Sequence, residues 1–572
     1  MSEQHQASIH SPVQATGLAA ALILPPLLAF NLTPAATLFN QLLALSGWGL
    51  VLILWARPAP SWRTALKGPA ALALVLLLVA PFTSVVWREL PLSLALNAGA
   101  VIGGGLAVLL VAQGLAAGAR ERAGEALCWG LLIAGIASVG VSLVQVFSPD
   151  WADGNLIARY GIPGRAAGNL RQPNHLASLL MWASVAAVFL AEKRRWRLGL
   201  PLLLFACVAT VVMSASRTGY FGIGMLALWG LADRRLTRST RLSLLATPLM
   251  LGLSWWLLAH WAASSGHAFG AASRLAEGAG SPSRLAILRD AWGLIQAQPW
   301  LGVGWGEFNV AWSLTPFPNR PIAFFDHTHN LPSQLLVELG LPWAAAVLGL
   351  LGWALVRALR GAWWRSRADD AHSLLRRTAV MLVLAIGVHS LLEYPLWYAY
   401  FLLPACFALG LALPTAAPAR PAPAWPLQAL GALLVVGSLF AVWDYSRIVA
   451  IYAPSEEAGP LNTRIAIGQQ SLFFSHQADY AAATSLPPGA PALEAARRTA
   501  FNLVDTRLLM HWSRSLEATG DVEGARYLAD RLREFRSPTG QEWLGVCDDP
   551  ASAPALTQCQ SATTRIDWQT LR

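Results

Sequence analysis

The stretch Asp326-His327-Thr328-His329-Asn330-Leu331-Pro332 closes a long polar loop and opens an apolar run that continues to about residue 356. Proline lacks an N–H and suits the first turn of a helix, so Pro332 predicts a helix start, with Asn330 or Thr328 as its cap. Read this way, the apolar run is a membrane span and His329 stands at its positive end, level with the bilayer surface. Helix N-termini attract anions, phosphate among them. On a regular helix His327 and His329, two residues apart, would point to nearly opposite sides. The plainer reading of the pair is a polar interfacial turn.

Similar apolar runs recur along the chain. Of its 572 residues 55% are hydrophobic and 13% charged, and its mean hydropathy is +0.47. No soluble core uses so many runs of ~20 apolar residues, so the predicted class is an all-α polytopic membrane protein. About thirteen transmembrane helices are expected, near 15–32, 38–56, 68–87, 93–115, 123–147, 174–191, 198–214, 217–232, 242–263, 330–356, 376–395, 396–414 and 426–446. A basic n-region and a small-residue cleavage site are missing, so the first run reads as a retained span.

The formal charge of +10 raises the question of nucleic acid, and the placement of the cations answers it. One set of alternate loops holds 20 Lys and Arg, among them Arg57, Arg120, Lys193, Arg197, Arg365, Arg367, Arg377 and Arg420. The opposite set holds 9 before residue 447, including Arg88, Arg165, Arg217, Arg274 and Arg284. The positive-inside rule makes the first set cytoplasmic, with the N-terminus inside and the C-terminal tail outside. The excess charge is topological, and no nucleic-acid partner is expected.

Two outer loops are long, near 148–173 and 264–329, and loops of that length usually carry function. The second contains an amphipathic stretch, Ser283 to Ala297, with Leu285, Leu288, Trp292 and Ile295 at helical spacing, suited to the membrane surface. The chain divides into a transmembrane domain, 1–446, and a small, mostly α, outer C-terminal domain, 447–572. Residues 494–517 and 521–536 read as two helices of a single tetratricopeptide-like hairpin, with Ala525, Leu528, Leu532 and Phe535 facing the partner helix. Cys128, Cys207 and Cys406 fall in spans and act as small apolar residues. Cys547 and Cys559 lie where oxidation is allowed, with a disulfide between them and two free thiols both left open.

The candidate chemistry gathers on the outer face. Arg165 to His175, with Arg171, Gln172 and Asn174, leads into the sixth span. Ser214-Ala215-Ser216-Arg217 leads into the eighth, with Ser214 or Ser216 as its cap. Asp326 to Pro332 leads into the tenth, and Arg284 lies in the loop before it. Helix N-termini beside Arg and His suit a lipid-linked diphosphate whose charge sits at the interface. His389-Ser390-Leu391-Leu392-Glu393-Tyr394-Pro395 closes the eleventh span; His389 and Glu393 are four apart, on one helical face. Ionisable residues at membrane depth lean functional. Plainer roles exist for each: Arg217 as a snorkelling cation, Arg165 and Arg171 as solvated charges, Gln172 and His175 as partners of backbone groups.

These motifs together resemble the bacterial O-antigen ligase and polymerase superfamily, and within it the protein O-oligosaccharyltransferases of the pilin-glycosylating PglL kind. The resemblance rests on Gly168 to Ser178, Ser216-Arg217, Arg284 to Gly304, His327 to Leu331 and His389 to Tyr398, and covers roughly 150–410. It implies a GT-C-like glycosyltransferase of the bacterial inner membrane. Such an enzyme moves a preassembled glycan from undecaprenyl diphosphate on the periplasmic side, with the C-terminal domain periplasmic. It also implies two essential arginines and one essential histidine, falling on Arg217, Arg284 and His329. Arg165, Arg171, Gln172, Asn174, His175, His327, Asn330, His389, Glu393 and Tyr394 are then expected to bind substrate.

The chemistry of the residues agrees. Charge develops on a leaving diphosphate, and each well-placed donor there is worth ~2.7–4 kcal/mol. A neutral His329 suits a general base for an acceptor hydroxyl. The acidic residues Glu277, Asp290, Glu307 and Asp326 are scattered, and the long loop has no Asp-x-Asp, so arginine rather than a metal is expected to stabilise the diphosphate; Asp326, His327 and His329 are the residues a metal would use. No cofactor is expected beyond the donor. Acceptors in the superfamily are a protein Ser or Thr, the lipid A core or a growing glycan. Residues 389–398 and the outer domain favour protein. A transporter of lipid or polysaccharide is the non-enzyme alternative; it would carry mid-span charges or broken helices.

Overall fold

The computed structural model describes residues 3–57, 62–196, 199–272, 284–364, 371–414, 422–551, 553–564 and 566–572, with only the backbone described at 3–11 and 371. Arg197, Arg274, Glu277, Ser283, Arg365, Arg367 and Arg420 lie outside the described residues. The described chain is helical throughout its regular structure. Among the described residues, eight helices are long and apolar enough to cross a membrane, or nine if the bent pair Arg238–Leu245 and Thr247–Ser265 is one span. Shorter apolar helices, Pro12–Leu27, Gly199–Ser214 and Ala399–Ala412, fill further expected positions. The protein is a polytopic membrane protein. Two compact units make it up: one from Met1–Val75, Ala100–Gly278 and Gly349–Phe440, the other from Leu76–Gly99, Ala279–Leu348 and Ala441–Arg572.

The first unit is built around the helix Pro173–Arg194. Its most apolar stretch is 94% buried, against 28% for Trp425–Tyr452. A helix apolar on every side belongs inside. Its Ala177, Ser178, Ala183, Ser184, Ala186 and Ala187 are small, which lets neighbouring backbones approach closely. Gly135 shows how closely: a Cβ there would lie 2.3 Å from that of Ala183. Buried Arg120 donates to the carbonyls of Gly410, Leu411 and Leu413, at 2.8, 2.6 and 2.6 Å. It thereby satisfies the last turn of the Ala399–Ala412 helix with a cation at its negative end.

The second unit contains a departure from the expected unbroken span at 330–356. The helix Leu331–Leu359 breaks at Gly340, whose φ is 72° and ψ 169°. Pro342 has no N–H to offer the carbonyl of Glu338. Gly304 N donates to it instead, at 3.0 Å, while Val303 N donates to Val337 O at 2.8 Å. Leu341 N donates to Pro299 O at 2.7 Å. Residues 299–304 therefore satisfy the groups that the break exposes, as burial requires. Only glycine fits at the break: a Cβ on Gly340 would meet the Trp300 carbonyl oxygen at 2.4 Å.

The expected amphipathic stretch is a helix, Arg284–Ala297, but its buried face is Ile287, Asp290, Ala291, Leu294 and Ile295. Leu285 and Trp292 are exposed. The expected helix over 494–517 is two helices, Ala490–Thr499 and Thr506–Ala518. Asp505 stops the run by accepting from Leu508 N as a cap, at 2.8 Å. In the following helix, Val522–Phe535, the four expected inward residues are all buried. Phe535 stacks on Phe324, with ring centroids 3.7 Å apart, and lies under the Arg320 guanidinium. Buried Arg320 also pairs with Glu534 at 3.1 Å; burial still pulls its pKa down to about 10. Cys547 and Cys559 form a disulfide, and the other three cysteines are buried.

Candidate active site

In the first unit the loop before Pro173 is held from below by Gln145. Its Oε1 accepts from Ala167 N and Gly168 N at 3.0 and 2.9 Å, and its Nε2 donates to Ala158 O at 2.7 Å. Asn169 Nδ2 donates to Leu27 O and Leu156 O at 2.6 and 2.9 Å. Arg165 and Ala166 lie along the segment that precedes Arg217: Arg165 Nε donates to Ser214 O at 2.9 Å and Ala166 N to Met213 O at 3.0 Å. Arg171, at φ 55°, directs its guanidinium to Asn31 Oδ1 at 2.8 Å and to the carbonyls of Ala29 and Ala36. Gln172 caps the Pro173–Arg194 helix by accepting from Asn174 N and His175 N.

Asn174 joins three elements. Its Nδ2 donates to Glu393 Oε1 at 3.1 Å, and its Oδ1 accepts from Ser216 Oγ at 2.6 Å. Ser216 in turn accepts from Gly219 N at 3.1 Å, so Ser216 is the cap of the helix that Arg217 begins. Arg217 itself is exposed. His175 meets the Tyr400 hydroxyl at 3.1 Å through Nδ1 and packs against Tyr398. His389 Nδ1 meets the Ser178 hydroxyl at 2.6 Å, with its ring centroid 6.0 Å from that of His175. The Ala371–Ser390 helix ends before Glu393, which sits in the turn beyond it rather than on one helical face with His389, its side chain directed to Asn174. Tyr394 packs against Tyr398 and Trp397. The fold thus gathers Arg165, Gln172, Asn174, His175, His389, Glu393, Tyr394 and the start of the Arg217 helix into one connected network.

In the second unit the His-x-His stretch is a loop, not part of a helix. His327 and His329 lie side by side, with ring centroids 4.2 Å apart, rather than on opposite sides. His329 has a φ of 55°, which turns its ring back toward His327 and Phe325. Asn330 is the cap, accepting from Ser333 N at 3.0 Å. Thr328 Oγ1 donates to Asn330 O at 2.8 Å. Asp326 is bonded to His327. Desolvation raises the Asp326 carboxyl, but the hydrogen bond and charge of His327, with the charge of His329, hold it below its ordinary value. Arg284 is the first described residue of the Arg284–Ala297 helix. Its near neighbour Arg289 is paired with Asp290 at 2.9 Å.

Sequence reasoning missed the residues that hold these segments: Gln145, Ser178, Asn309, Gln334, Glu338 and Tyr400. Gln145 and Glu338 carried a readable signal, because each is a polar side chain late in or within an apolar run. Their partners were not readable, since they come from distant parts of the chain.

Known proteins share these segments. A family model described as O-antigen ligase matches residues 202–348, one described as protein glycosylation ligase matches 166–191, and one described as the C-terminal part of a virulence factor membrane-bound polymerase matches 378–537. The first includes Arg217, Arg284 and His329, the second Gln172 to His175, and the third His389 to Tyr394. A general O-oligosaccharyltransferase of Acinetobacter baylyi is 27% identical over 312 residues, 49% of this chain and 50% of that protein. A ComP-specific O-oligosaccharyltransferase of the same organism is 25% identical over 256 residues, 43% of this chain and 44% of that protein. The chain spans about half the length of the curated relatives it matches. The resemblance read from the motifs is thus to O-antigen ligases and PglL-type O-oligosaccharyltransferases.

Proposed function

We propose that the protein is a glycosyltransferase that moves a preassembled oligosaccharide en bloc from undecaprenyl diphosphate to Ser or Thr hydroxyls of periplasmic proteins such as pilin. It acts in the bacterial inner membrane, with the N-terminus cytoplasmic, the C-terminal domain periplasmic, and membrane lipids and the lipid-linked glycan as partners. One observation carries this reading: two of the candidate residues flank helix caps, Arg217 after the Ser216 cap and His329 before the Asn330 cap. Positive helix ends with Arg and His beside them match a diphosphate at the interface.

In this mechanism Arg217 and Arg284 stabilise the charge that grows on the diphosphate as the glycosyl–oxygen bond breaks. His329 takes the proton of the acceptor hydroxyl, and the displacement inverts the anomeric carbon. Arg165, Arg171, Gln172, Asn174, His175, His327, Asn330, His389, Glu393 and Tyr394 line or shape the substrate path. No metal takes part in a step. The break at Gly340 is the feature a transporter reading would claim, but its freed backbone groups are met by residues 299–304, which makes it a joint.

The test is transfer in vitro from undecaprenyl-diphosphate glycan, with pilin, lipid A core and a glycan-lipid acceptor offered separately, with and without EDTA. Glycosylated pilin with wild type, with EDTA present, and none with His329→Ala supports the reading. Transfer only to lipid A core makes the protein an O-antigen ligase. Chain extension alone makes it a polymerase, which the match over 378–537 favours as the second reading.

A further inference from the structure

We propose that Gln334 and Glu338 are positioning residues that set the orientation of His329; this rests on the transferase reading above. Thr328 N donates to Gln334 Oε1 at 2.7 Å, and Gln334 Nε2 donates to Glu338 Oε1 at 2.9 Å. Glu338 also accepts from the backbone N–H groups of Gly306 and Phe308. Thr328, Gln334 and Glu338 are all buried.

The network has a fixed sense. A backbone N–H only donates, so the Gln334 amide must turn its oxygen toward Thr328, which leaves its nitrogen facing Glu338. Thr328 immediately precedes His329, and the left-handed backbone at His329 is unfavourable for a non-glycine residue and persists only where its surroundings impose it. The anchored N–H of Thr328 is the nearest such constraint. A second comes from the same stretch of chain: Asn309 Nδ2 donates to Phe325 O at 2.8 Å, and the Phe325 ring packs on His329. A buried carboxylate in an apolar run is costly unless it is hydrogen-bonded, and here its hydrogen bonds hold the loop.

The test is a double-mutant cycle with a rescue. Gln334→Ala and Glu338→Gln are expected to lower kcat by about tenfold or more, as small misplacements of a reacting group do, with KM for the donor changed little. The exchanged pair Gln334→Glu with Glu338→Gln restores every donor and acceptor and is expected to recover most of the loss. A loss confined to KM, or an exchanged pair no better than the sum of its single variants, overturns the proposal. A readout independent of activity separates it from the transferase reading. Carbethoxylation of His329, followed by mass spectrometry, should change severalfold in either single variant and return in the exchanged pair, with His260 and His267 as controls. An unchanged His329 rate overturns the positioning role even if transfer is observed. A changed rate in a protein that transfers nothing upholds it and overturns the transferase reading alone.

Discussion

Asn174 Nδ2 lies 3.1 Å from Glu393 Oε1, and this hydrogen bond ties the first turn of the Pro173–Arg194 helix to the turn beyond the Ala371–Ser390 helix. Asn174 also accepts from Ser216 Oγ, the cap of the Arg217 helix, at 2.6 Å. Asn174→Ala takes one hydrogen bond each from the buried Glu393 carboxylate and the buried Ser216 hydroxyl, at roughly 0.5–1.5 kcal/mol each. The expected outcome is a lower thermal midpoint in detergent, with Asn174→Asp, which sets carboxylate against carboxylate, lower still. An unchanged midpoint for both would show that the contact is not a structural tie.

Arg217→Lys keeps the charge but loses the planar fork that suits a diphosphate. Expected is a fall in kcat of ~10²–10³-fold for Arg217→Ala and a smaller fall for the lysine variant, read as initial rates of glycan transfer. Equal rates for Arg217→Ala and wild type would remove Arg217 from the mechanism.

His476 is buried and meets the Ser93 hydroxyl at 3.1 Å; burial brings its pKa down to about 4. A histidine with a lowered folded pKa contributes stability that is full above its unfolded value of about 6.5 and is lost as pH falls toward 4. The full span is worth about 3 kcal/mol. Thermal unfolding between pH 7.5 and 5 should show wild type losing more stability than His476→Gln, which cannot take up the proton. Parallel losses would place the pH sensitivity elsewhere.

Gly340→Ala should be among the most damaging single substitutions in the second unit. It combines a left-handed backbone with a Cβ 2.4 Å from the Trp300 carbonyl oxygen. A loss of about 1–3 kcal/mol or more is expected from the strain alone. Urea unfolding in detergent measures it, with Gly349→Ala, which has open space around its Cβ, as the control.

Phe535→Ala removes the ring between Arg320 and Phe324. A loss of about 3–5 kcal/mol is expected, as for other buried aromatic truncations. Limited proteolysis of the region 506–535 should accelerate in the variant, and unchanged cleavage would mean that the contact adds little.

Much of the fold was readable because cap chemistry is local. Pro173, Ser216, Asn330 and Pro332 each mark a helix start from their own side chains and ring geometry, and each start lies where it was expected. The break at Gly340 was not readable. Apolar residues continue on both sides of it, membrane helices tolerate Gly and Pro, and the groups that close the break belong to Pro299, Val303 and Gly304. The same distance effect hid the site's supports. That Asn174 is polar was plain, but that it joins Glu393 to Ser216 depends on three elements far apart in the chain. The side-by-side histidines fit the turn reading: the two-residue spacing implies opposite faces only on a helix, and His329 is left-handed.

The second unit is stitched from three lengths of chain, Leu76–Gly99, Ala279–Leu348 and Ala441–Arg572. A nascent chain emerging from the ribosome therefore carries Arg217, Arg284 and His329 long before it carries Val504, whose N–H bonds to Asn309, or Phe501, which completes the cluster with Leu90 and Ala95. Until the last stretch has been made, Asn309 beside the histidine loop lacks its Val504 partner. Synthesis order thus acts as a timer for the second unit, and a stalled or clipped product would carry the histidine loop without the residues that complete its surroundings.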